Sequence, residues 1–193
     1  NGSDALELAL LAFDLPIGSE IGLAANCGGY STSAILRNSL VPVYCDVDVK
    51  TSLPTLDSIA SLIKSGVKAI IATHLYGYAI PEIEKISELC KSSGVLLLED
   101  CAQSQGSSYK NKYAGTIGDL GCFSFYPTKN MTSGEGGMIV LDNPEHARVC
   151  KLLRNQGMEK RYQNELVGLN LSMTDNHAAI GISQLKKVHN WTR

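Results

Sequence analysis

The chain has 193 residues, of which 44% are hydrophobic and 19% charged, and these proportions are typical of a soluble globular chain that folds as one domain. Its formal net charge of −2, without any basic run, argues against a nucleic-acid-binding surface. No apolar stretch reaches the roughly 20 residues that span a bilayer, so we expect neither nucleic acid nor membrane as a partner.

Six cysteines are spread along the chain without a C-x-x-C pair, and most of them lie in apolar strand or helix patterns, as free buried thiols do. This distribution predicts a reducing compartment, and therefore a cytoplasmic protein. No signal peptide opens the sequence. Asn1 is not an initiator methionine and Gly2 already belongs to a motif, so we expect residues to precede Asn1 in the full protein.

The first predicted element is a helix over residues 4–13, with Ser3 or Asp4 as its N-cap. The free N–H groups and the positive dipole end of a helix N-terminus can hold a phosphate. An ordinary N-cap without a ligand is the alternative that these residues leave open.

Strands and helices then alternate with the rhythm of βαβ units. They are predicted at 20–25 (strand), 26–37 (glycine turn and helix), 42–47 (strand), 56–63 (helix), 69–72 (strand) and 83–90 (helix). His74 directly follows the third strand and is expected near the ligand-binding crevice, although a single histidine is more often structural. Gly94 suits the C′ position after the last of these helices.

A continuous apolar run over 95–98 ends in two carboxylates and predicts a buried parallel strand that delivers Asp100 to its C-terminal end. Ligands of open α/β sheets bind at that end of the strands. A carboxylate placed there can pair with a protonated pyridine nitrogen.

The next apolar strand, over 122–125, breaks into a polar, glycine-rich loop that carries Lys129, and a further strand is predicted over 138–141. A lysine on a constrained loop at the mouth of an apolar core can act as a nucleophile toward carbonyls. A solvated surface lysine is the alternative. Ser124 is the polar exception inside the strand and suits an anion partner.

The last third of the chain is predicted to contain two helices separated by a long polar loop. The first helix, over 143–154, has Asn143 as its cap and Pro144 at its first position. The loop over 155–167 has no periodicity and is interpreted as functional or interfacial. The second helix covers 175–188, and no linker divides the chain.

Eight motifs, in this order, resemble the pyridoxal phosphate (PLP) dependent sugar aminotransferases of the DegT/DnrJ/EryC1/StrS type, within the fold-type I aspartate aminotransferase superfamily. They are 2–6 (GSDAL), 42–48 (PVYCDVD), 74–77 (HLYG), 99–103 (EDCAQ), 118–119 (GD), 124–129 (SFYPTK), 134–137 (GEGG) and 168–170 (Gly-Leu-Asn). The resemblance covers nearly the whole chain and implies a three-layer α/β/α fold with a mostly parallel sheet, in which the strand over 138–141 is antiparallel.

The resemblance also implies how the chain is organised. It identifies residues 1–193 as the PLP-binding large domain of the fold. Members of the family carry a smaller C-terminal domain after the last helix, and we expect that domain to be absent from this chain.

The resemblance assigns the two catalytic roles and one contact with the cofactor ring. Lys129 would hold PLP as a Schiff base and then move the proton on the substrate. Asp100 would pair with the pyridine nitrogen and keep the ring electron-poor. Gln103 would offer its amide to the phenolic oxygen.

The same resemblance implies that three groups of the protein bind the phosphate. Ser124 would contribute its hydroxyl, and the helix N-terminus formed by Gly2, Ser3 and Asp4 would contribute N–H groups. Asn170 would reach the phosphate bound by the neighbouring subunit, so the resemblance implies a homodimer with shared sites. A turn-capping role within its own chain is the alternative for Asn170.

The sequence departs from the family at Gly28, where an aromatic ring usually covers the pyridine face. Tyr30 follows two residues later. Either Tyr30 takes over the stacking role or another group covers the cofactor.

The activity implied by the resemblance is amination of a nucleotide-linked keto-sugar, with glutamate as amino donor, for polysaccharide, lipopolysaccharide or antibiotic sugar synthesis. A dehydratase of the same fold would carry histidine in place of the lysine, and Lys129 argues against it. A non-catalytic relative, acting as a regulator or as part of a split enzyme, stays open. A Rossmann-type oxidoreductase would need G-x-G-x-x-G after a strand, and the sequence contains none.

Overall fold

The computed structural model describes residues 1–192, which form ten strands and six α-helices around one central sheet. The strands are β1 (Glu20–Ala24), β2 (Val41–Cys45), β3 (Ala69–Thr73), β4 (Leu96–Asp100), β5 (Ser108–Tyr109), β6 (Lys112–Tyr113), β7 (Leu120–Ser124), β8 (Gly137–Val140), β9 (Met158–Lys160) and β10 (Gln163–Asn164). The helices are α1 (Gly2–Ala12), α2 (Gly29–Arg37), α3 (Leu56–Ser65), α4 (Ile83–Ser92), α5 (Pro144–Arg154) and α6 (Asp175–Trp191), with a 3-10 turn at Leu75–Gly77.

The central sheet has six strands in the order β2-β1-β3-β4-β7-β8. All neighbours pair in parallel except β8, which is antiparallel to β7. The predicted α/β fold with a mostly parallel sheet and an antiparallel strand after the lysine loop is confirmed. The carboxyl ends of the parallel strands meet at one edge, where β4 ends in Asp100 and β7 ends in Ser124.

Helices cover both faces of the sheet, which makes the three layers. Alternate residues of the central strands enter two separate apolar cores, as the two-residue period of a strand requires. Ile71 and Leu98 belong to the core under α1, α2 and α5, whereas Ile70 and Leu97 belong to the core under α3 and α4. All five residues of β3 are buried, which explains the apolar run of its first four residues.

The N-terminus of α1 differs from the prediction, which placed the cap at Ser3 or Asp4. The N-cap is Asn1, whose side-chain oxygen accepts the N–H groups of Ser3 at 2.9 Å and Asp4 at 3.2 Å. Asp4 occupies the third helical position, and its carboxylate accepts a hydrogen bond of 3.0 Å from the nitrogen of Asn1. This reciprocal capping box moves the helix start to Gly2.

The other helix signals agree with the structure, and two short hairpins were missed. Asn143 caps α5, Pro144 is its first residue, and Gly94 has the positive φ of 67° expected after α4. The cap of α6 is Thr174, and Asp175 is the first residue of that helix. The hairpin β5–β6 was not predicted, and β9–β10 lies inside the segment interpreted as a loop. None of the helices within residues 1–192 has both the length and the apolar character needed to cross a membrane.

A buried pair formed by His74 and Glu99 joins the residue after β3 to the end of β4 on the α3–α4 side of the sheet. The two side chains have no exposed surface, and His74 Nε2 lies 2.8 Å from a carboxylate oxygen of Glu99. His74 Nδ1 accepts the N–H of Ile80 at 3.1 Å, so the ring proton is on Nε2 and is donated to Glu99. His74 is therefore structural and does not lie in the crevice with Asp100, because consecutive strand residues face opposite sides.

Glu99 also holds the turn that precedes β7. Its carboxylate accepts three backbone N–H groups, those of Gly115 (2.9 Å), Ile117 (2.7 Å) and Gly118 (2.6 Å). Burial raises the pKa of Glu99, but the hydrogen bonds from His74, Gly118 and Gly115 outweigh burial and lower the pKa below its ordinary value. The folded state therefore favours the ionised carboxylate.

We expect Glu99→Ala to reduce the free energy of unfolding by roughly 3–5 kcal/mol at neutral pH, because four donors lose a buried partner. Exposed Glu88 on α4 supplies the matched control, and Glu88→Ala should leave stability nearly unchanged. Urea unfolding followed by circular dichroism measures both. The pKa of Glu99 is lower in the folded chain than in the unfolded chain. The stability that Glu99 contributes is therefore fully present above its unfolded-state pKa of about 4.3 and is lost as the pH falls through its folded-state pKa. Equal effects of the two substitutions at pH 7 would contradict this role.

Candidate active site

Asp100 is the buried polar centre of the carboxyl edge of the sheet. It is 8% exposed and accepts two hydrogen bonds, from Ser31 Oγ at 3.2 Å and from the N–H of Ala102 at 3.1 Å. Ser31 lies in the first turn of α2, so the start of that helix covers the carboxylate. Two hydrogen bonds leave accepting capacity unused on a carboxylate.

Burial raises the pKa of Asp100 above its ordinary value. The hydrogen bonds from Ala102 and Ser31 and the positive charge of Lys129 offset only part of this effect. The sequence alone could not bring Lys129 within electrostatic range of Asp100; the folded loop does. A buried carboxylate whose charge is incompletely compensated is suited to a cationic ligand group.

The loop that carries Lys129 connects β7 to β8 and is closed tightly at Phe125. The carbonyl of Phe125 accepts the N–H of Ser133 and the hydroxyl of Thr132, both at 3.0 Å, and its N–H donates to Gly136 at 2.9 Å. Lys129 is half-buried, and its N–H donates to Tyr126 at 3.0 Å. The lysine therefore sits on a short, internally bonded loop at the edge of the sheet.

The N-terminus of α1 packs directly on Ser124, the last residue of β7. A Cβ atom on Gly2 would lie 2.6 Å from Ser124 Cβ and 2.9 Å from its Oγ, so only glycine permits this approach. The Ser124 hydroxyl is buried and, among residues 1–192, has one long contact of 3.5 Å, with the N–H of Tyr126. The structure thus brings Gly2 and Ser124 together, as the phosphate-site hypothesis requires.

The other two residues predicted at this helix N-terminus are arranged differently. The N–H groups of Ser3 and Asp4 are taken by the side chain of Asn1, and the carboxylate of Asp4 turns back toward Asn1. Ser3 itself is exposed. Asp4 can therefore contribute only a backbone N–H to an anion, and only when the side chain of Asn1 releases it.

Gln103 follows the strand end, and its side-chain oxygen accepts the N–H of Tyr76 at 2.7 Å. This bond orients the amide so that its NH₂ group stays available for a ligand. Gln105, which was not predicted, is 3% exposed and donates to the carbonyls of Ser124 at 2.6 Å and Ala102 at 3.2 Å. It ties the end of β7 to the turn after Asp100, and no periodicity in the sequence signals that contact.

Tyr30 occupies the space that a side chain at position 28 would need. A Cβ on Gly28 would lie 2.9 Å and 3.1 Å from two carbon atoms of the Tyr30 ring. The ring is 69% exposed and comes from the residue before Ser31, whose hydroxyl bonds Asp100. The ring therefore lies against Gly28, in the first turn of the helix whose Ser31 bonds Asp100.

Asn170 lies in a groove on the α1–β8 side of the chain. It is exposed, forms a backbone bridge with Asn155, and lines a groove of about 770 Å³ between α1, β8 and α5 that also contacts Asp4. Neither Asp100 nor Lys129 lines this groove in the described chain.

His74, Glu99 and Cys101 have potential metal-ligand atoms within 4.8 Å of one another. The hydrogen bonds to His74 and Glu99 already use those atoms. Burial raises the pKa of the Cys101 thiol well above its ordinary value, which disfavours the thiolate that metals bind. The cluster is therefore a hydrogen-bonded structural group.

Comparison with known proteins places this chain among aminotransferases. The DegT/DnrJ/EryC1/StrS aminotransferase family matches residues 1–193. The chain is 38% identical over 189 residues to the GDP-perosamine synthase of Escherichia coli O157:H7, covering 97% of this chain and 52% of that protein. It is 36% identical to the GDP-perosamine synthase of Vibrio cholerae, again covering 97% of this chain and 52% of the relative.

The fold is also shared with solved structures. An aminotransferase from Psychrobacter cryohalolentis superimposes with a TM-score of 0.91 at 32% identity, covering 97% of this chain and 50% of that one. A DegT DnrJ EryC1 StrS aminotransferase from Brucella abortus has a TM-score of 0.91 at 27% identity, over 98% of this chain and 53% of the other. The chain spans about half the length of the relatives it matches.

Replacing Asp100 by Asn should stabilise the ligand-free chain at neutral pH, because the amide keeps the shape and removes a buried charge. The direction of the effect follows because the pKa of Asp100 is higher in the folded chain than in the unfolded chain. The free energy of unfolding of the wild type therefore falls as the pH rises from the unfolded-state pKa of about 3.9 through the folded-state pKa. The gain should therefore be present at pH 7 and vanish as the pH is lowered. Urea titrations across this range measure it, with exposed Asp142→Asn as the control. A destabilised Asp100→Asn chain at pH 7 would refute this interpretation.

Proposed function

Because this chain belongs to the DegT/DnrJ/EryC1/StrS aminotransferase family, we propose that it is the cofactor-binding large domain of a PLP-dependent sugar aminotransferase. Its substrate would be a nucleotide-linked keto-sugar, converted to an amino-sugar with glutamate as the amino donor. The names of its relatives support this class, since they include GDP-perosamine synthases and a UDP-N-acetyl-3-dehydro-alpha-D-glucosamine 3-aminotransferase.

The observation that carries the proposal is the buried carboxylate of Asp100, within electrostatic range of Lys129. Ser124 ends the neighbouring strand, and its hydroxyl lies against the start of α1. These groups fit a ligand that has a cationic ring nitrogen, a carbonyl and a phosphate. Asp100 can accept more hydrogen bonds than it receives, and the Ser124 hydroxyl makes only one long contact among the described residues. Such unused hydrogen-bonding capacity is expected of buried groups that bind a ligand.

Lys129 is the proposed nucleophile and proton carrier. Its amine would hold the cofactor at the carbonyl carbon, with the loss of one water, and once the amino donor has displaced it, the same amine would carry a proton from the substrate Cα to the carbon that had held the lysine. Asp100 would hold the proton on the ring nitrogen by charge pairing. The bound cofactor supplies an electron sink for the carbanion.

The phosphate would be held where α1 meets β7. Ser124 would donate its hydroxyl, and Gly2 and Ser3 would donate backbone N–H groups reinforced by the positive end of the helix dipole. Asp4, predicted as a contact, would take part through its N–H alone. The ordinary N-cap alternative describes the chain without a ligand, in which Asn1 makes these bonds.

Two further side chains would contact the ring. Gln103 would donate its amide to the phenolic oxygen, with its own carbonyl held by Tyr76. Tyr30 would cover the pyridine face in place of an aromatic residue at position 28, since its ring already lies against Gly28.

The catalytic function is preferred over a regulator or part of a split enzyme because Lys129 and Asp100 are both present and within electrostatic range. We propose cytoplasmic localisation on the basis of six free cysteines, none of them in a disulfide. Assembly is proposed to be a two-fold homodimer whose sites are completed in trans by Asn170.

We expect Lys129→Ala to abolish covalent capture of PLP, because no other amine is proposed to react with its carbonyl. The chain is incubated with PLP, reduced with borohydride and digested, and the cofactor mass is located by mass spectrometry. Wild type and the exposed-lysine control Lys91→Ala should carry it on the peptide that contains residue 129. Equal stoichiometric capture by Lys129→Ala, at another lysine, would disprove the assignment.

The shared-site proposal is tested by complementation between Lys129→Ala and Asn170→Ala, each inactive alone. After co-refolding at equal amounts, half of the dimers are heterodimers with one intact site, so about a quarter of wild-type transamination should return. Each variant refolded by itself is the control. A mixture as inactive as its parents, or full cofactor occupancy in a monomer, would show that Asn170 acts within its own chain.

A further inference from the structure

Thr73 is a buried polar residue beside Asp100 that neither the sequence motifs nor the proposed function uses. It is the last residue of β3, and the strand register pairs it with Asp100 on β4. Paired residues of neighbouring parallel strands point to the same face of the sheet. Thr73 therefore shares the α1–α2 face with Asp100, while Glu99 points to the other face.

The hydroxyl of Thr73 has no hydrogen-bond partner among residues 1–192, although the residue is only 9% exposed. A buried hydroxyl that bonds nothing is unfavourable and calls for an explanation. Valine would fill the same volume without that penalty. The hydroxyl is therefore of no use to the fold as such.

The available acceptor is the carboxylate of Asp100. Its two known donors, Ser31 and Ala102, come from α2 and from the turn after β4, and Thr73 comes from the third direction, along the sheet. Neighbouring strands lie about 4.8 Å apart, so rotation about χ1 of Thr73 brings its hydroxyl within reach of a carboxylate oxygen. Hydrogen bonds to an ionised acceptor are stronger than those to a neutral one.

We propose that Thr73 is a positioning residue that donates its hydroxyl to the ionised carboxylate of Asp100 and so favours the charged form needed to pair with a cationic ring nitrogen. The second half of this statement rests on the proposed function; the bond between Thr73 and Asp100 does not. The hydroxyl gives Asp100 a third donor that helps most when the carboxylate is charged.

Other ionisable groups around Asp100 must be separated from this effect. Those that act on Asp100, or on which Asp100 acts, are Cys27 of the β1–α2 turn, His74 after β3, Cys101 after β4, Cys122 of β7 and Lys129 of the β7–β8 loop. Thr73→Val changes the charge of none of them, so it isolates the hydroxyl.

The first measurement needs no cofactor. Titration of the Asp100 carboxyl by ¹³C NMR in the whole chain compares wild type, Thr73→Val and Thr73→Ser. Removing the hydroxyl should raise the pKa of Asp100 by up to about one pH unit, the shift that corresponds to 1.36 kcal/mol, and Thr73→Ser should titrate like wild type. An unchanged midpoint in Thr73→Val, or an equal shift in Thr73→Ser, would overturn the proposal.

The second measurement uses PLP as the probe. Thr73→Val should weaken its binding roughly tenfold and lower the pH at which the absorbance of the bound ring nitrogen titrates, while Thr73→Ser retains both. A merely structural role would change stability without moving that midpoint. If the wild type binds no PLP, the proposed function fails, and the NMR result still decides whether Thr73 bonds Asp100. If the wild type binds PLP and Thr73→Val binds it equally well, only the positioning role of Thr73 fails.

Discussion

The structure depends on the way β4 buries two consecutive carboxylates on opposite faces of a parallel sheet. Glu99 is compensated by His74 and three backbone N–H groups, and its charge holds together the loops on the α3–α4 side. Asp100, one residue later, receives only two hydrogen bonds and keeps a raised pKa. One strand end therefore carries a satisfied structural anion and an incompletely satisfied one, and the second is where ligand chemistry is available.

Close backbone packing sets the distances around that carboxylate. Gly2 lets the first turn of α1 touch Ser124, and Gln105 ties the end of β7 to the turn after β4. The lysine loop is closed on Phe125 by its own hydrogen bonds. Ser124, Asp100 and the backbone of the Lys129 loop are thus fixed by their neighbours, and fixed neighbours are the condition for positioning a reactive ligand.

The same region shows the conflict between stability and ligand binding. Asp100 and Thr73 are buried polar groups that the ligand-free chain does not fully satisfy, whereas apolar or neutral residues of equal size would suit the fold better. The carboxylate of Asp100 keeps accepting capacity beyond its two hydrogen bonds, and the hydroxyl of Thr73 lies beside it on the same face of the sheet. Glu99 and His74 show the contrast, since a fully bonded buried pair needs no ligand.

Apolar periodicity, caps and motif order were sufficient to predict the sheet class, most helices and the residues at the strand ends, because these depend on neighbours a few positions away. The cap of α1 was misassigned because two acceptable caps stand beside Asn1, and the hairpins β5–β6 and β9–β10 are too short for any periodicity. Only the tertiary structure decided which groups meet. Ser31 reaches Asp100 across 69 positions, and Thr73 reaches the same face through strand register. Such contacts depend on chain topology, and topology leaves no local pattern in a sequence.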